Sequence, residues 1–367
     1  MIGLSQVRKI LFVGDTVPNS SVGFGQSLKK LCAEHNVRVF NLEGAFSGLR
    51  EPLFKAGPHL LLELNFFEPI AECFNVATLA NNHVMDFGLE GLDTTILQCK
   101  RVGIATVGAG LNLDEAFAPL DIGNCRIISV AENEFGAAGK DKAGIATVDR
   151  PIEIYSLIKK GREAGKFVAV VAHGGTECIP IPPPYLRQRY KLWIEYGADL
   201  IVGNHPHVVQ GFELYKDKPI FYSLGNFAFF NNDSFRDYAN AHWSIAVSVD
   251  IPNNKIRTIP VRSDGNNIVD IDGSGRYEEE FSRLCSLIQS DNYSALYNQI
   301  AAEVYESWYP RLSTTSREDA ALLLHYLRCD AHRNLVQTAL SQKIGEPQSC
   351  EQTNFPLEES NIIAKLG

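Results

Sequence analysis

Short apolar runs alternate with amphipathic segments through the first two-thirds of the chain, and this alternation limits the choice of fold more than any other feature. Apolar runs this short, rich in β-branched side chains, are typical of buried strands rather than helices. They cover residues 9–13, 37–42, 76–80, 104–107, 126–130, 167–172 and 200–202. Segments with helical spacing separate them, at residues 21–35, 69–74, 89–102, 152–164 and 185–196. The alternation predicts an α/β fold with βαβ units and a largely parallel sheet.

The pattern changes in the last third of the chain. Strand-like runs at residues 219–223, 242–250 and 255–261 are separated by turn signals, which predicts an antiparallel meander. Beyond residue 275, apolar side chains recur at helical spacing in segments 277–289, 293–305 and 318–340. We therefore expect an α/β domain over residues 1–270 and a helical C-terminal extension over residues 271–367.

Composition argues against several partners and locations. The formal net charge is −9 and the isoelectric point about 5.5, so the basic footprint of a nucleic-acid-binding protein is absent. No apolar run approaches the roughly 20 residues of a membrane-spanning helix, and the N-terminus lacks the pattern of a secretory signal. The eight cysteines include no Cys-x-x-Cys pair and are expected to be free thiols. We predict a cytoplasmic protein with no nucleic-acid partner and no integral membrane segment.

Metal-binding side chains follow five of the predicted strands directly. In an open α/β sheet, the carboxyl ends of the strands form the edge at which ligands bind. Carboxylates, amide oxygens and imidazoles suit divalent ions such as manganese, iron or zinc, and no cysteine belongs to the set. The residues at these strand ends are Asp15, Glu43, Asn81, Asn82, His83, His173, His205 and His207. The pattern predicts a divalent-metal site at this edge, with the pair of histidines around Pro206 as its most specific part.

Each of these residues also has a structural interpretation. A Gly-Asp or Asn-Asn pair after a strand is common in turns. A histidine next to two glycines can be buried with its ring nitrogens hydrogen-bonded inside the protein. Two histidines around a proline can lie in a surface loop. If they are ligands, His205 and His207 can bind two neighbouring ions, or one can bind an ion while the other contacts the groups around that ion. The shared position at strand ends favours the metal site over these alternatives.

These residues lie in the first five of six sequence blocks. The blocks are Gly14-Asp15, Asn41-Leu42-Glu43-Gly44, Ala80-Asn81-Asn82-His83 with Asp86-Phe87-Gly88, His173-Gly174-Gly175-Thr176-Glu177, Gly203-Asn204-His205-Pro206-His207-Val208 and Tyr222-Ser223-Leu224-Gly225-Asn226-Phe227. In this order, they resemble the bacterial capsule-synthesis CapA (poly-γ-glutamate capsule protein) family, a branch of the calcineurin-like metallophosphoesterase superfamily. The resemblance covers roughly residues 8–262 and implies a four-layer α/β/β/α sandwich of the metallophosphoesterase type.

The resemblance implies a centre of two divalent metal ions, manganese, iron or zinc. Glu43 would bridge the two ions. One ion would be held by Asp15, Glu43 and His207, and the other by Glu43, Asn82, His173 and His205. The superfamily usually begins with Asp-x-His, but this chain has Asp15-Thr16-Val17. The first ion therefore lacks one imidazole ligand, and we expect it to bind more weakly than the second.

The resemblance also implies a catalytic residue, His83, which follows the ligand Asn82 where the superfamily places its transition-state stabiliser or general acid. Candidates for binding a phosphate or carboxylate of the substrate are Lys55, Glu177, Arg187 and Arg189, and Asn226 is expected near the site. For each charged residue, a surface or paired charge is an equally good interpretation. The remaining histidines, at positions 35, 59, 242, 325 and 332, show no partner in the sequence and are interpreted as structural.

The function implied by the resemblance is a metal-dependent phosphatase or phosphodiesterase. It would act on a small phosphorylated substrate, a sugar- or polyol-phosphate intermediate, in capsule or surface-polysaccharide biosynthesis, alongside the capsule-synthesis machinery. Two alternatives remain. One is a non-hydrolytic assembly factor for an anionic capsule polymer, and the other is a metal-dependent amide hydrolase of a γ-linked glutamyl polymer. The residues alone do not separate phosphoester from amide cleavage.

Overall fold

Two β-sheets stack face to face, and helices cover their outer faces. The computed structural model describes residues 6–18, 20–229, 242–264, 267–308 and 316–345. The strands in these ranges are β1 (Lys9–Val17), β2 (Gly23–Phe24), β3 (Val37–Leu42), β4 (Val76–Thr78), β5 (Ala105–Val107), β6 (Ala109–Gly110), β7 (Leu120–Ile122), β8 (Cys125–Ala131), β9 (Gly144–Ile145), β10 (Phe167–His173), β11 (Leu200–Asn204), β12 (Phe212–Tyr215), β13 (Lys218–Phe221), β14 (Asn226–Phe229), β15 (Trp243–Asp250), β16 (Lys255–Ser263) and β17 (Ile268–Ile271).

Both large sheets have parallel strands at their centre. The first sheet has nine strands in the order β2-β17-β16-β15-β1-β3-β4-β5, with β14 pairing with β1 beside this path. In it, β1, β3, β4 and β5 run parallel. The second sheet has six strands in the order β12-β13-β11-β10-β8-β7, of which β8, β10, β11 and β13 run parallel. Each sheet therefore collects the carboxyl ends of several strands along one edge.

The helices lie in two sets, one along the α/β part of the chain and one after β17. Those described are α1 (Gln26–Ala33), α2 (Glu68–Cys73), α3 (Gly88–Arg101), α4 (Leu113–Ala116), α5 (Pro151–Glu163), α6 (Pro184–Glu195), α7 (Arg276–Gln289), α8 (Tyr293–Trp308), α9 (Arg317–Arg328) and α10 (Asp330–Ile344). Within the described ranges, no helix combines the length and the apolar character needed to cross a bilayer.

Three hydrophobic clusters define four layers. The central cluster lies between the sheets and contains Ile10 and Phe12 of β1 together with Val171 of β10. The alternate β1 residues Leu11 and Val13 belong to a second cluster, formed with α1, α2 and α3 on the outer face of the first sheet. A third cluster joins α5 and α6 to the outer face of the second sheet. Strands buried on both faces are apolar at nearly every position, which explains the continuous runs in the sequence. The predicted α/β/β/α sandwich is confirmed.

The C-terminal helices divide between two cores. Helix α7 places Phe281 and Leu284 in the cluster between the sheets. Helices α8 and α10 instead form a fourth cluster with Ile179 and Ile181 of the loop after β10. The boundary predicted at residue 270 falls inside β17, and we propose that the separate helical extension begins with α8, because α7 is part of the sandwich core.

Three predicted elements differ from the structure. The helix predicted at 21–35 begins only at Gln26, because Gly23–Phe24 pairs as β2 with β17. The run at 219–223 is not part of the meander, since β13 pairs parallel with β11 in the second sheet. The helix predicted at 318–340 is two helices separated at Cys329, whose backbone is extended at φ −70° and ψ 124°.

Candidate metal centre

The predicted metal ligands converge because the strands that carry them, although divided between the two sheets, end on the same side of the sandwich. Asp15 of β1 lies opposite Asn41 of β3, and His173 ends β10 opposite Asn204 of β11. A Cβ atom on Gly14 would lie 1.9 Å from the carbonyl oxygen of Gly225, so only glycine allows the approach that gives the hydrogen bond of 3.0 Å from Asp15 N to that oxygen. The seven side chains brought to this edge are all buried: Asp15, Glu43, Asn82, His83, His173, His205 and His207.

Two groups of three side chains have the spacing needed to hold a metal ion. One group is Glu43, His173 and His205, and the other is Asp15, Glu43 and His207. In each group the three ligand atoms lie within 4.8 Å of one another. Glu43 belongs to both groups, so the arrangement suits two neighbouring ions with one shared carboxylate. Asn82 joins the first group, because its Oδ1 lies 3.0 Å from Nε2 of His173.

Glu43 lies at the centre of this cluster, and its carboxylate lacks hydrogen-bond partners within the described part of the chain. Its Oε1 lies 3.7 Å from Nε2 of His173 and 3.6 Å from Nε2 of His207. Neither carboxylate oxygen has a hydrogen-bond partner among the residues that the structure describes. A buried carboxylate without a partner is costly unless a cation compensates it. The residues present therefore fit a divalent cation at this position.

The pKa values of the ligands show the same need for a cation. Burial, and next the charge of Asp15, raises the pKa of Glu43 well above its usual range. Burial also raises the pKa of Asp15, to about 6, although hydrogen bonds from Asn41 and from the backbone of His205 oppose it. Burial and the neighbouring His205 lower the pKa of His207 to about 3. A metal ion binds neutral imidazoles and ionised carboxylates, so a cation held here would supply the positive charge that the buried carboxylates of Asp15 and Glu43 lack.

Two amide side chains fix the orientation of the ligands. Asn41 donates from Nδ2 to Oδ1 of Asp15 at 2.8 Å, and the same nitrogen lies 3.2 Å from Nδ1 of His173. Nδ1 of His207 lies 2.9 Å from Oδ1 of Asn226, to which it donates. That bond leaves Nε2 of His207 directed toward Glu43, as partners outside the ligand set commonly do for metal-binding histidines. Asn226 thus lies at the site as predicted, but its carbonyl oxygen orients His207.

The turn after β11 holds two histidines in an unusual backbone conformation. His205 has a φ of 100° and His207 a φ of 58°, in the left-handed region that favours glycine. Each such residue costs on the order of 1–3 kcal/mol and persists only where the surroundings enforce it. The strain turns both rings into the cluster on either side of Pro206, and strain of this kind concentrates at functional sites.

His83 lies beside the ligands but is held by a different pair of charges. Its Nδ1 lies 2.8 Å from Oδ2 of Asp86, and Lys55 forms an ion pair with the other oxygen of that carboxylate. The Nζ atom of Lys55 also lies 3.3 Å from Nδ1 of His83 and 3.5 Å from the carbonyl oxygen of Asn82. Burial and the charge of Lys55 lower the pKa of His83, and Asp86 opposes both. Because an ionised carboxylate only accepts, Nδ1 carries the proton and Nε2 keeps its lone pair.

Two acidic residues at the site were missed in the sequence. Glu134 places Oε1 3.4 Å from Nε2 of His205 and accepts a hydrogen bond of 3.1 Å from Asn82. Glu132 is buried nearby, where burial raises its pKa to about 7. Both follow β8, so the rule that located the other residues at strand ends also applies to them.

The predicted substrate-binding residues divide into two groups. Lys55 is at the site, as described above, and Glu177 acts electrostatically on Glu43 and His205. The two arginines, Arg187 and Arg189, pair with acidic residues of the protein. Arg187 forms two hydrogen bonds with Glu213, of 2.7 and 2.8 Å, and stacks on Tyr293. This partly buried pairing is the paired-charge interpretation that the sequence offered for Arg187, and a role in substrate binding stays a prediction.

Arg189 is also paired within the protein. Its guanidinium group binds Oε1 of Glu132 at 3.0 Å and Oδ2 of Asp330 at 2.6 Å, and it packs over the ring of Tyr185. The side chain therefore links the sandwich to helix α10. These contacts support the paired-charge interpretation of Arg189, and its binding of a substrate phosphate stays a prediction.

Comparison with known families agrees with this geometry. A family model described as bacterial capsule synthesis protein PGA_cap matches residues 9–231, which is more than half of the chain. The chain belongs to this family. The matched range contains all seven buried residues of the cluster, so the PGA_cap part of the chain and the candidate metal centre coincide.

Several named relatives share this part of the chain. The PGA biosynthesis protein CapA of Bacillus subtilis is 34% identical over 163 residues, covering 42% of this chain and 43% of that protein. The capsule biosynthesis protein CapA of Bacillus anthracis is 35% identical over 166 residues, covering 42% and 40%. A protein of Mycobacterium tuberculosis named as a probable polyglutamine synthesis accessory protein is 27% identical over 213 residues, covering 53% and 54%. The matches thus span about half the length of these relatives.

Proposed function

We propose that the protein is a divalent-metal-dependent hydrolase that cleaves a phosphoester during capsule or surface-polysaccharide biosynthesis. The observation that carries this proposal is the Glu43 carboxylate. It is buried, has no hydrogen-bond partner among the described residues, and belongs to both three-residue ligand groups. A shared carboxylate between two ligand groups is the arrangement of a two-metal phosphoesterase centre.

The ligand set determines what would be held there. Asp15, Glu43 and His207 would hold one ion, and Glu43, Asn82, His173 and His205 the other. Ions in these positions would polarise a phosphoryl oxygen and make a water molecule acidic enough to act as a nucleophile near neutral pH. Manganese, iron and zinc all accept this mixture of oxygen and nitrogen ligands.

His83 supplies proton transfer next to the ligands. Asp86 fixes the proton on Nδ1, so Nε2 is the atom at which a proton is held or moved during cleavage. Lys55 keeps Asp86 ionised through their buried ion pair, and its own charge favours an anionic substrate on this side of the cluster. His83, Asp86 and Lys55 therefore form one positioned unit, with His83 as the member that touches the substrate.

The substrate we propose is a sugar- or polyol-phosphate intermediate of polymer synthesis. The family description and the names of the two Bacillus relatives support a setting in capsule synthesis. A second candidate has its own support. The B. subtilis relative is named for PGA biosynthesis, which favours a γ-glutamyl amide as the bond that a metal-activated water would attack. The same ligands and His83 would serve either bond, since negative charge develops on oxygen atoms in the transition states of both reactions.

The test is a cleavage panel on protein loaded with Mn²⁺. The panel contains an aryl phosphomonoester, an aryl phosphodiester, a set of sugar and polyol phosphates, and γ-linked glutamyl oligomers. We expect release of phosphate from at least one monoester or diester. Glu43→Gln should abolish it, because the shared carboxylate contacts both ligand groups. Glu213→Gln is the matched control, since Glu213 is a buried carboxylate held by Arg187 away from the cluster.

Other outcomes separate the alternatives. Cleavage of γ-glutamyl oligomers alone would replace the phosphoesterase with the amide hydrolase. A protein that retains its metal and cleaves none of the panel would contradict the enzymatic proposal and favour the non-hydrolytic assembly factor. Mass spectrometry of the incubated oligomers and a colorimetric phosphate assay measure the two reactions on the same samples.

A further inference from the structure

Two histidines of the C-terminal helices lie beside the metal centre, outside the range that matches the family model. His325 is on α9 and His332 is on α10, with ring centroids 4.5 Å apart and ring planes at 67°. The sequence predicts structural roles for both, because no partner is visible along the chain. The fold places them next to residues of the site instead.

A short series of contacts joins His325 to a predicted metal ligand. The His325 ring stacks on Phe135, with centroids 5.0 Å apart and planes at 7°. Phe135 directly follows Glu134, whose carboxylate lies 3.4 Å from Nε2 of His205. The ammonium group of Lys55 lies 4.8 Å from the centre of the same Phe135 ring. Helix α9 therefore reaches the side of the cluster on which Lys55 and Glu134 lie.

Helix α10 is fixed against the same side by hydrogen bonds. Oε2 of Glu132 accepts a bond of 3.2 Å from the backbone N–H of Ala331, in the first turn of α10. Arg189 bonds to both Glu132 and Asp330. His332 comes immediately after Ala331, so its position relative to the site is set by the anchoring of α10 on Glu132.

Nδ1 of His325 is buried and has no hydrogen-bond partner among the described residues. A buried polar atom without a partner is rare in folded proteins and indicates a missing ligand or water.

We propose that His325 and His332 are substrate-positioning residues, which donate hydrogen bonds to an oxyanion of the substrate next to the group held at the metal centre. The proposal rests on the hydrolase function proposed above and names a second subsite for it. The oxyanion is a phosphate or a carboxylate, because imidazole N–H groups and the nearby Lys55 ammonium suit either.

The test compares probes with one and two oxyanions on protein loaded with Mn²⁺. Inorganic phosphate reports the metal centre alone. Diphosphonates with one, two or three methylene groups between the phosphorus atoms, and γ-glutamylglutamate, add a second phosphoryl or carboxylate group. Isothermal titration calorimetry gives the affinity of each probe for the wild type, for a variant with His325→Gln and His332→Gln, and for Arg328→Gln. Arg328→Gln removes a charge from an exposed position of α9 and is the matched control.

We expect the double variant to bind phosphate with the affinity of the wild type. Its affinity for at least one diphosphonate, or for γ-glutamylglutamate, should be lower by about tenfold or more, because it lacks the charge-assisted hydrogen bonds to the second oxyanion. Which probe weakens identifies the second oxyanion. If the double variant binds phosphate, every diphosphonate and γ-glutamylglutamate with the affinity of the wild type, the proposed subsite is wrong. The hydrolase proposal is unaffected by that result. A wild type that binds neither Mn²⁺ nor phosphate overturns both. Normal phosphate binding also shows that the variant is folded.

Discussion

The imidazole of His83 donates from Nδ1 to the carboxylate of Asp86 at 2.8 Å, and both residues are buried. Neither residue belongs to the two ligand groups around Glu43. The proton transfer and the metal binding that we propose would therefore be carried out by different side chains of the same site. Substitutions can separate the two roles.

We predict that His83→Ala lowers turnover about 10²–10⁴-fold while metal content stays near that of the wild type, because the substitution removes a proton-transfer group and no ligand. Elemental analysis and steady-state kinetics on the same preparation measure both quantities. His35→Gln is the control, since His35 is a buried histidine bonded to Leu31 and Ser248, away from the cluster. If His83→Ala empties the site of metal, the role assigned to His83 is wrong.

Metal binding should be unequal at the two positions. The group of Asp15, Glu43 and His207 supplies three ligands, and the other group gains Asn82 as a fourth. We expect one tight and one weaker ion, and Asp15→Asn should remove mainly the weaker one. Equilibrium dialysis followed by elemental analysis gives the two occupancies. Asp199→Asn, which alters a buried carboxylate bonded to Val168 N and Lys218, should leave both unchanged. Equal loss of both ions in Asp15→Asn would contradict the assignment.

The pH dependence of stability should report the lowered pKa of His332, a half-buried side chain. Burial, and next the charge of His325, lowers the pKa of His332 from 6.5 to about 4. The unfolded chain therefore binds the proton first as pH falls, so His332 destabilises the fold progressively from about pH 6.5 down to pH 4. Relative to His332→Gln, the wild type should lose on the order of 2–3 kcal/mol across that range. Denaturant unfolding of both proteins at several pH values measures the difference, and parallel curves would refute it.

The link between Arg189 and α10 gives a prediction about stability. Arg189→Ala leaves the buried carboxylate of Glu132 without its cation and removes one of the two arginines that pair with Asp330, the other being Arg333. The Arg189 side chain is about one-fifth exposed. We expect a loss of about 2–4 kcal/mol in the free energy of unfolding. Hydrogen–deuterium exchange should show faster exchange in α10. Arg126→Ala breaks a comparable pair with Asp121 and should leave exchange in α10 unchanged. Unchanged protection of α10 in Arg189→Ala would argue against the link.

The sequence predicted the side chains that converge at the strand ends, because parallel strands carry a residue at the carboxyl end to a common edge. His173 and His205 lie together for this reason, and Asp15 meets them because the two stacked sheets end on the same side. Glu134 obeys the same rule but was missed, since a glutamate after a strand carries no signal that distinguishes it from a surface charge. The contact of Phe135 with His325 was beyond prediction, because nothing local links residues so distant in sequence.

Local signals also fail where a distant contact decides the structure. The segment 318–340 has continuous helical spacing and contains neither proline nor glycine, so the sequence predicts one helix. The structure has two helices, and the second begins where Ala331 N bonds to Glu132 and Asp330 bonds to Arg189. A short interruption at Cys329 lets these groups meet, and the residues they meet belong to a different part of the chain.

The position of β1 has a consequence for how the protein is made. This strand lies at the centre of the larger sheet, where β3 flanks it on one side and β15 and β14 on the other. Lys9 pairs with Asp250, so its partner is synthesised long after β1 has left the ribosome. Until then, an apolar strand with an unpaired edge is exposed to other nascent chains and to chaperones. Truncated products that end before Trp243 should consequently aggregate, even though they contain every residue of the candidate metal centre.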